Sequence, residues 1–219
     1  MTYLSALSLA INRPQLSGSG GAGSMIFDSS VNLSPILYEN SDRRVRLVSG
    51  TSFLSKTAKS LIAKSGGKWY FEFAITDIIT PVSGTTGVGV AETAFSFTTN
   101  QLSAGGTTAG SIWPNTGTDC NFWTSGSPTA YTPPMLEGSR IMIALDIDNL
   151  KLFTGANGTW HNSGNPVAGT GQVWTIPSGK TWHAAVTPWT AGPGDVVIDL
   201  KSSVSDCLYA LPTGFSYWP

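Results

Sequence analysis

Residues 68–76 read Lys-Trp-Tyr-Phe-Glu-Phe-Ala-Ile-Thr, and this stretch constrains the chain more than any other. Trp69, Phe71, Phe73 and Ile75 recur at period two, with Tyr70, Glu72, Ala74 and Thr76 between them. Side chains alternate between faces along a strand, so the spacing predicts a half-buried β-strand whose aromatic face meets a core. Shorter runs follow the same logic. Residues 87–91 (Gly-Val-Gly-Val-Ala) predict a strand whose glycines let another backbone come close. Residues 140–146 alternate again and are followed by Ile-Asp-Asn, a tight turn, and by a strand at 151–154. Further strands are expected at 182–187 and 196–200, with a weaker hairpin pairing 44–49 with 53–56 around Gly50. The segments between are rich in Gly, Pro, Asn, Ser and Thr, the residues that turns require. Many short strands without intervening helical periods predict an all-β fold, an antiparallel two-sheet sandwich. Residues 92–137 show no clear period, yet they hold Trp113, Phe122, Trp123 and Tyr131, too many aromatics for solvated coil.

Composition narrows the function. Only 11% of the 219 residues are charged, with 12 Lys plus Arg against 13 Asp plus Glu. A nucleic-acid partner is not expected, because phosphate binding needs clustered cations. Membrane insertion is not expected either, since no run of about 18 apolar residues occurs, and the start of the chain lacks the positive region of a signal peptide. The two cysteines, Cys120 and Cys207, make neither a disulfide framework nor a zinc site; they read as free buried thiols, with a single long-range bridge as the alternative.

Residues 1–30 stand apart as an N-terminal arm, extended or short-helical, ahead of a sandwich spanning 31–219. Leu4, Leu7 and Ile11 can line one face of a short helix, and residues 17–24 form a Gly/Ser-rich linker. An arm of this kind suits attachment within an assembly.

Several segments carry a family resemblance. Ser65-Gly-Gly-Lys-Trp-Tyr-Phe-Glu-Phe resembles the opening strand of the SPRY (B30.2-like) domain, roughly S-G-K-W-Y-F-E, and Gly87-Val-Gly-Val-Ala91 resembles its G-I-G-V-A strand. Ile143-Ala-Leu-Asp-Ile-Asp-Asn-Leu-Lys-Leu-Phe153 is similar to the A-L-D-x-D-x-x-x-L-x-F strand–turn–strand, and Asn157-Gly-Thr-Trp160 to the N-G-x-W after it. Trp182-His-Ala-Ala-Val186 looks like W-x-P-A-V, with Ala184 where the family usually has proline, and Leu211-Pro-Thr-Gly-Phe215 looks like the closing P-P-x-G-F. The matches run in family order across 31–219, and the long 92–137 insert departs from the pattern. The 157–166 run and the closing Pro-Thr-Gly-Phe resemble SPRY proteins encoded by tailed bacteriophages. The resemblance implies a bent, concanavalin-like sandwich, a binding module that meets partners through loops at one end, and no catalytic machinery.

The residues themselves offer little to an enzyme. Only two histidines occur, His161 and His183, and there is no G-x-S-x-G elbow. Asp146 and Asp148 form the best carboxylate pair, but their place before Asn149 is good Asx-turn chemistry. No catalytic residue, no metal site and no cofactor is expected. The loop aromatics Trp113, Trp123, Tyr131, Trp160 and Trp189 are the candidate partner contacts, since Trp and Tyr are enriched at binding hot spots and otherwise serve as lids over the core. The reading that follows is a non-enzymatic virion structural protein of a tailed phage, a capsid decoration or a tail or fibre component, made in the host cytoplasm. Its arm would hold other virion proteins or copies of itself. The alternative is a carbohydrate- or receptor-binding module for host adhesion, and a glycan-degrading enzyme is a more distant one.

Overall fold

The computed structural model describes residues 24–31, 33, 35–48, 56–78, 86–114, 119–189 and 195–219. Leu4, Leu7 and Ile11, most of the Gly/Ser linker and residues 53–55 of the expected hairpin lie outside them. The strands are β1 (Ile36–Glu39), β2 (Arg44–Leu47), β3 (Ala58–Lys59), β4 (Lys68–Asp77), β5 (Thr86–Glu92), β6 (Ala109–Pro114), β7 (Cys120–Thr124) and β8 (Ser127–Tyr131). They continue as β9 (Arg140–Asp146), β10 (Lys151–Ala156), β11 (Thr159–Trp160), β12 (Trp174–Thr175), β13 (Trp182–Pro188), β14 (Val196–Lys201) and β15 (Ser216–Tyr217).

Two sheets form. One runs β1-β2-β14-β4-β9-β10-β11, with β12 on β10 and β15 parallel to β4. The other runs β3-β13-β5-β6-β7-β8 and is antiparallel throughout. Phe71, Phe73 and Ile75 of β4 share one core with Val88 and Val90 of β5, Ile112 of β6 and Trp182 of β13, so the sheets pack face to face. This is the expected antiparallel sandwich. The core reaches back beyond residue 31: Met25 and Phe27, which composition assigned to the arm, are buried in it.

Two expectations change. Strand β4 is buried on both faces, not one. Tyr70 and Glu72, on the face away from the core, are fully covered because Phe215, Tyr217 and Tyr209 of the closing segment fold over them together with Trp160. The second sheet is covered likewise, by Phe95, Phe97 and Leu102 packed on Ala91, Ala109, Trp113 and Ala185. Strand β2 is flanked by the upstream β1 and by β14, which leaves neither of its edges for the hairpin expected around Gly50. The β1–β2 turn is carried by Asn40, Ser41 and Asp42 at positive φ, residue types that tolerate that region better than most.

The unpatterned 92–137 stretch supplies the cover just described and three strands of the second sheet. Its signal was hidden by small residues. Gly89 of β5 lies opposite Ser111 of β6, so close to that strand that a Cβ on Gly89 would stand 2.1 Å from the Gly110 carbonyl oxygen. A Cβ on Gly87 would stand 2.3 Å from the Trp113 ring. Strands packed this tightly do not show aliphatic alternation.

Candidate functional site

The strands at the ends of the two sheet orders, β8 and β11, come together at one side of the sandwich. Strand β8 is exposed and carries Pro128, which withholds an N–H from further pairing. After it the chain turns through Thr132 and Pro133. After β11 the chain makes a short 3-10 turn, His161–Ser163, in which Asn162 and Ser163 adopt the left-handed region at φ 54° and 51°. Between these segments lies an open groove of about 550 Å³. Tyr131 and Thr132 line it from one side, and Trp160, Asn162 and Ser163 from the other, with Asp119 at the start of β7.

His161 ties the two sides together. Its ring stacks on Tyr131, 5.8 Å between centroids and 17° between planes. Its Nε2 lies 3.0 Å from the carbonyl oxygen of Pro133, and its Nδ1 lies 3.0 Å from Thr154 Oγ1. A carbonyl only accepts, so Nε2 carries the proton and the Thr154 hydroxyl donates to Nδ1. The turn is fixed further where Asn162 Nδ2 donates to the Gln172 carbonyl and Gly164 N–H to the His161 carbonyl. The groove is therefore held in shape by buried hydrogen bonds before anything binds to it.

A cysteine stands beside this histidine. Cys120 Sγ is 3.6 Å from His161 Nε2. That geometry resembles a nucleophilic dyad, but the chemistry is wrong for one. Nε2 presents a proton to the sulfur, not a lone pair, so His161 is not placed to take the thiol proton. Burial, and then the charge of Asp119, push the Cys120 thiol up to about 12, away from the thiolate. Cys207 is also a free thiol, half-buried and pushed up to about 12, first by burial and then by Glu72.

The other chemical candidates serve the fold. Asp146 accepts hydrogen bonds from the backbone and side chain of Asn149 and pairs with Lys68 at 2.9 Å. Burial alone would raise its pKa, but these partners hold it below the usual carboxylate range. Asp148 accepts from Gly67 N–H at 2.7 Å. Asp146 thus closes the β9–β10 turn as the Asx-turn reading expects, whereas Asp148 ties that turn to the segment before β4. His183 is buried on β13, its Nδ1 donating to the Ser60 carbonyl at 2.8 Å.

The candidate aromatics separate. Tyr131 and Trp160 are brought into one groove. Trp113 is on β6 and only 3% exposed, donating from Nε1 to Ser111 Oγ; it belongs to the packing between sheet and cover and is corrected from a loop contact to a lid. Trp123 packs half-buried on the same cluster. Trp189 is half-buried just after β13, its carbonyl accepting from Thr86 Oγ1. Sequence reasoning missed Asp119, Thr132, Asn162 and Ser163 as groove residues. The Asn-Ser-Gly run at 162–164 is a turn signal, but nothing local to it points toward β8.

The buried histidines and aspartates set a pH dependence. Burial lowers His161 and His183 against the opposing pull of the Pro133 and Ser60 carbonyls, so both are neutral in the folded protein near pH 7. An unfolded imidazole titrates near 6.5. Below about pH 6.5 the unfolded chain takes up protons that the native state refuses, and stability falls by at most about 1.4 kcal/mol per pH unit for each histidine. Asp146, Asp199 and Asp206 act at lower pH. Burial would raise each of them, but Asn149 and Lys68, Arg44 and Thr76, and Ser203 and Ser24 respectively keep them depressed. Their contribution is complete above the unfolded value of about 3.9 and is lost as pH falls through the folded values. Melting temperature should decline in two steps on acidification, the first beginning near pH 6.5 and the second below about pH 4. A His161→Gln, His183→Gln double variant should lack the first step. A wild-type melting temperature that stays level from pH 6.5 to 5 would contradict the neutral assignment.

No protein-family model matches the chain, and no curated protein matches it. Solved structures do. The SPRY domain of human HERC1 superposes with a TM-score of 0.60 at 14% identity, covering 84% of this chain and 99% of that one. The TRIM65 PSpry domain gives 0.59 at 12%, covering 83% and 93%. Stonustoxin gives 0.60 at 12% over 81% of this chain, which corresponds to only 28% of the toxin chain. At such identities the likeness establishes the fold: this is a SPRY-like β-sandwich.

Proposed function

We propose that this chain is a non-enzymatic interaction module of a tailed-phage virion, a capsid decoration or a tail or fibre component, which meets a partner in the groove between β8 and β11. The observation that carries the binding reading is the shape of that groove. Two half-buried aromatic rings, Tyr131 and Trp160, line one cleft whose sides are locked to each other through His161. Rigid aromatic anchors in a preorganised cleft are what a binding site needs, because little conformational freedom is lost on association. The non-enzymatic part is supported by the proton on His161 Nε2 and by the engagement of Asp146 in a turn and of Asp148 with Gly67. The virion part is supported by the sequence likeness of 157–166 and 212–215 to phage SPRY proteins. In this reading residues 1–23 attach the domain to the particle, to other virion proteins or to copies of the chain.

The attachment is tested by deleting residues 1–23. The deletion stops short of Ser24 and Met25, because Ser24 Oγ bonds to Asp206 and Met25 N–H to Ser202 Oγ. The shortened protein should keep the melting temperature and near-ultraviolet circular dichroism of the full chain. It should disappear from particles purified after expression in the infected host, where the full chain is retained. Equal incorporation of both would rule out the arm as the anchor, and absence of both would rule out the virion assignment.

A further inference from the structure

We propose that the groove between β8 and β11 binds a neutral sugar ring of a glycan, an inference that rests on the groove being the chain's binding site. A hexose presents an apolar face of C–H groups and a rim of hydroxyls that both donate and accept. The groove offers matching parts. Tyr131 and Trp160 supply flat rings against which the apolar face can stack. Asp119, Thr132, Asn162 and Ser163 supply a carboxylate, an amide and two hydroxyls for the rim.

The polar groups are placed to favour a ligand rich in donors. Asp119 Oδ1 is shielded from solvent and has no hydrogen-bond partner among the described residues. Asp119 lines the groove, so a rotation of its side chain that turns this unpaired oxygen outward would let a ligand hydroxyl satisfy it. Asn162 commits one of its two amide N–H groups to Gln172, which leaves its side-chain oxygen as an acceptor and one N–H as a donor. Its side chain is fixed by that bond, on a backbone in the left-handed region that asparagine tolerates.

The same chemistry argues against the other ligands that stack on aromatics. A nucleotide or an acidic sugar brings negative charge toward Asp119, and no Lys or Arg lines the groove to offset it. A peptide would look for apolar pockets to bury its anchors. Here the residues beyond the two rings carry hydroxyl, amide and carboxylate groups, and their apolar parts are only the methyl groups of Ala130, Thr132 and Thr159. The volume of about 550 Å³ accommodates a short oligosaccharide, within the span of ~300–1,000 Å³ usual for small-molecule sites.

The test titrates the full chain with maltotriose, mannotriose and chitotriose, and with sialyllactose as the anionic counterpart. Binding is followed by tryptophan fluorescence and by saturation-transfer NMR, up to about 10 mM sugar. At least one neutral trisaccharide should saturate the signal, and sialyllactose should bind more weakly. Asp119→Ala removes a carboxylate whose Oδ1 has no partner among the described residues, so its melting temperature should be unchanged or higher while affinity falls by about tenfold or more. Tyr131→Ala should weaken binding further, its fold verified by its melting curve because the ring also stacks on His161. Failure of all three neutral sugars to bind, or unchanged binding in Asp119→Ala, overturns the proposal. Adsorption of the protein to bacterial host cells separates it from the reading beneath. If no sugar binds but both variants lose adsorption, the sugar is wrong and the groove remains the binding site. If no sugar binds and adsorption is the same in both variants, both readings fall.

Discussion

Glu72→Ala is expected to destabilise the protein by about 3–5 kcal/mol, lowering the melting temperature by roughly 10 °C. Glu72 is fully buried on the outer face of β4. Its two oxygens accept from Tyr70 Oη at 2.7 Å and from the backbone N–H groups of Leu208 and Tyr209 at 2.9 Å each, with Arg140 Nη1 at 3.6 Å. Alanine would leave all of these donors facing an apolar gap. The loss has a structural direction, because Leu208 and Tyr209 begin the closing segment that covers the first sheet. Limited proteolysis should therefore cut the variant within residues 203–211 at temperatures where the wild type is intact. Glu72→Gln keeps one oxygen for Tyr70 and Tyr209 but turns an amide N–H toward Leu208, so an intermediate loss is expected. A loss below about 1 kcal/mol for the alanine variant would mean that this carboxylate does not hold the segment in place.

Phe71→Ala, one position along on the opposite face, should cost a similar ~3–5 kcal/mol for a different reason. Phe71 is fully buried between the sheets. Its ring meets Phe73 edge-on at 5.5 Å and Trp218 at 5.3 Å between centroids. Truncation removes apolar area from the core and leaves a cavity that neighbouring strands cannot close without breaking their pairing. The two variants are distinguishable by near-ultraviolet circular dichroism. Phe71→Ala should perturb the Trp218 signal, whereas Glu72→Ala should act on Tyr70 and Tyr217, which lie 6.2 Å apart on the outer face. If urea denaturation shows less than about 1 kcal/mol for Phe71→Ala, that face of β4 does not form the core.

The pair also shows how much of the structure was legible. Strands β4, β5, β9, β10, β13 and β14 stand where period-two patterning put them, within two residues at each end. The reason is local. Alternation is imposed by the pleat, so a strand that meets a core on one face declares itself within a few residues. The turn after Asp146 was equally legible, because an Asp-x-x-Asn run closes on its own backbone: Asn149 N–H donates to Asp146 Oδ1 at 3.0 Å. Strands β6 to β8 were not legible. In β6, Gly110 and Ser111 stand where aliphatic residues would have signalled a strand, and the pressure against a larger side chain at Gly110 comes from the rings of Trp174 and Phe122, elsewhere in the sequence.

What the sequence alone determined is therefore an all-β sandwich, the aromatic core face of β4 and a set of aromatics available for contact. What only the tertiary structure decided is which faces stay covered and which aromatics meet. Glu72 reads as a solvent residue in its own strand; it is buried because a segment about 136 residues further along folds back to donate to it. Trp113 and Tyr131 look alike in sequence, yet one fills the space that Gly87 leaves and the other opens onto a groove. Tyr131 and Trp160 come together because the strands at the ends of two separate sheets converge and a buried histidine bonds across them. Contacts between distant segments depend on how sheets close on each other, and no local period encodes that closure.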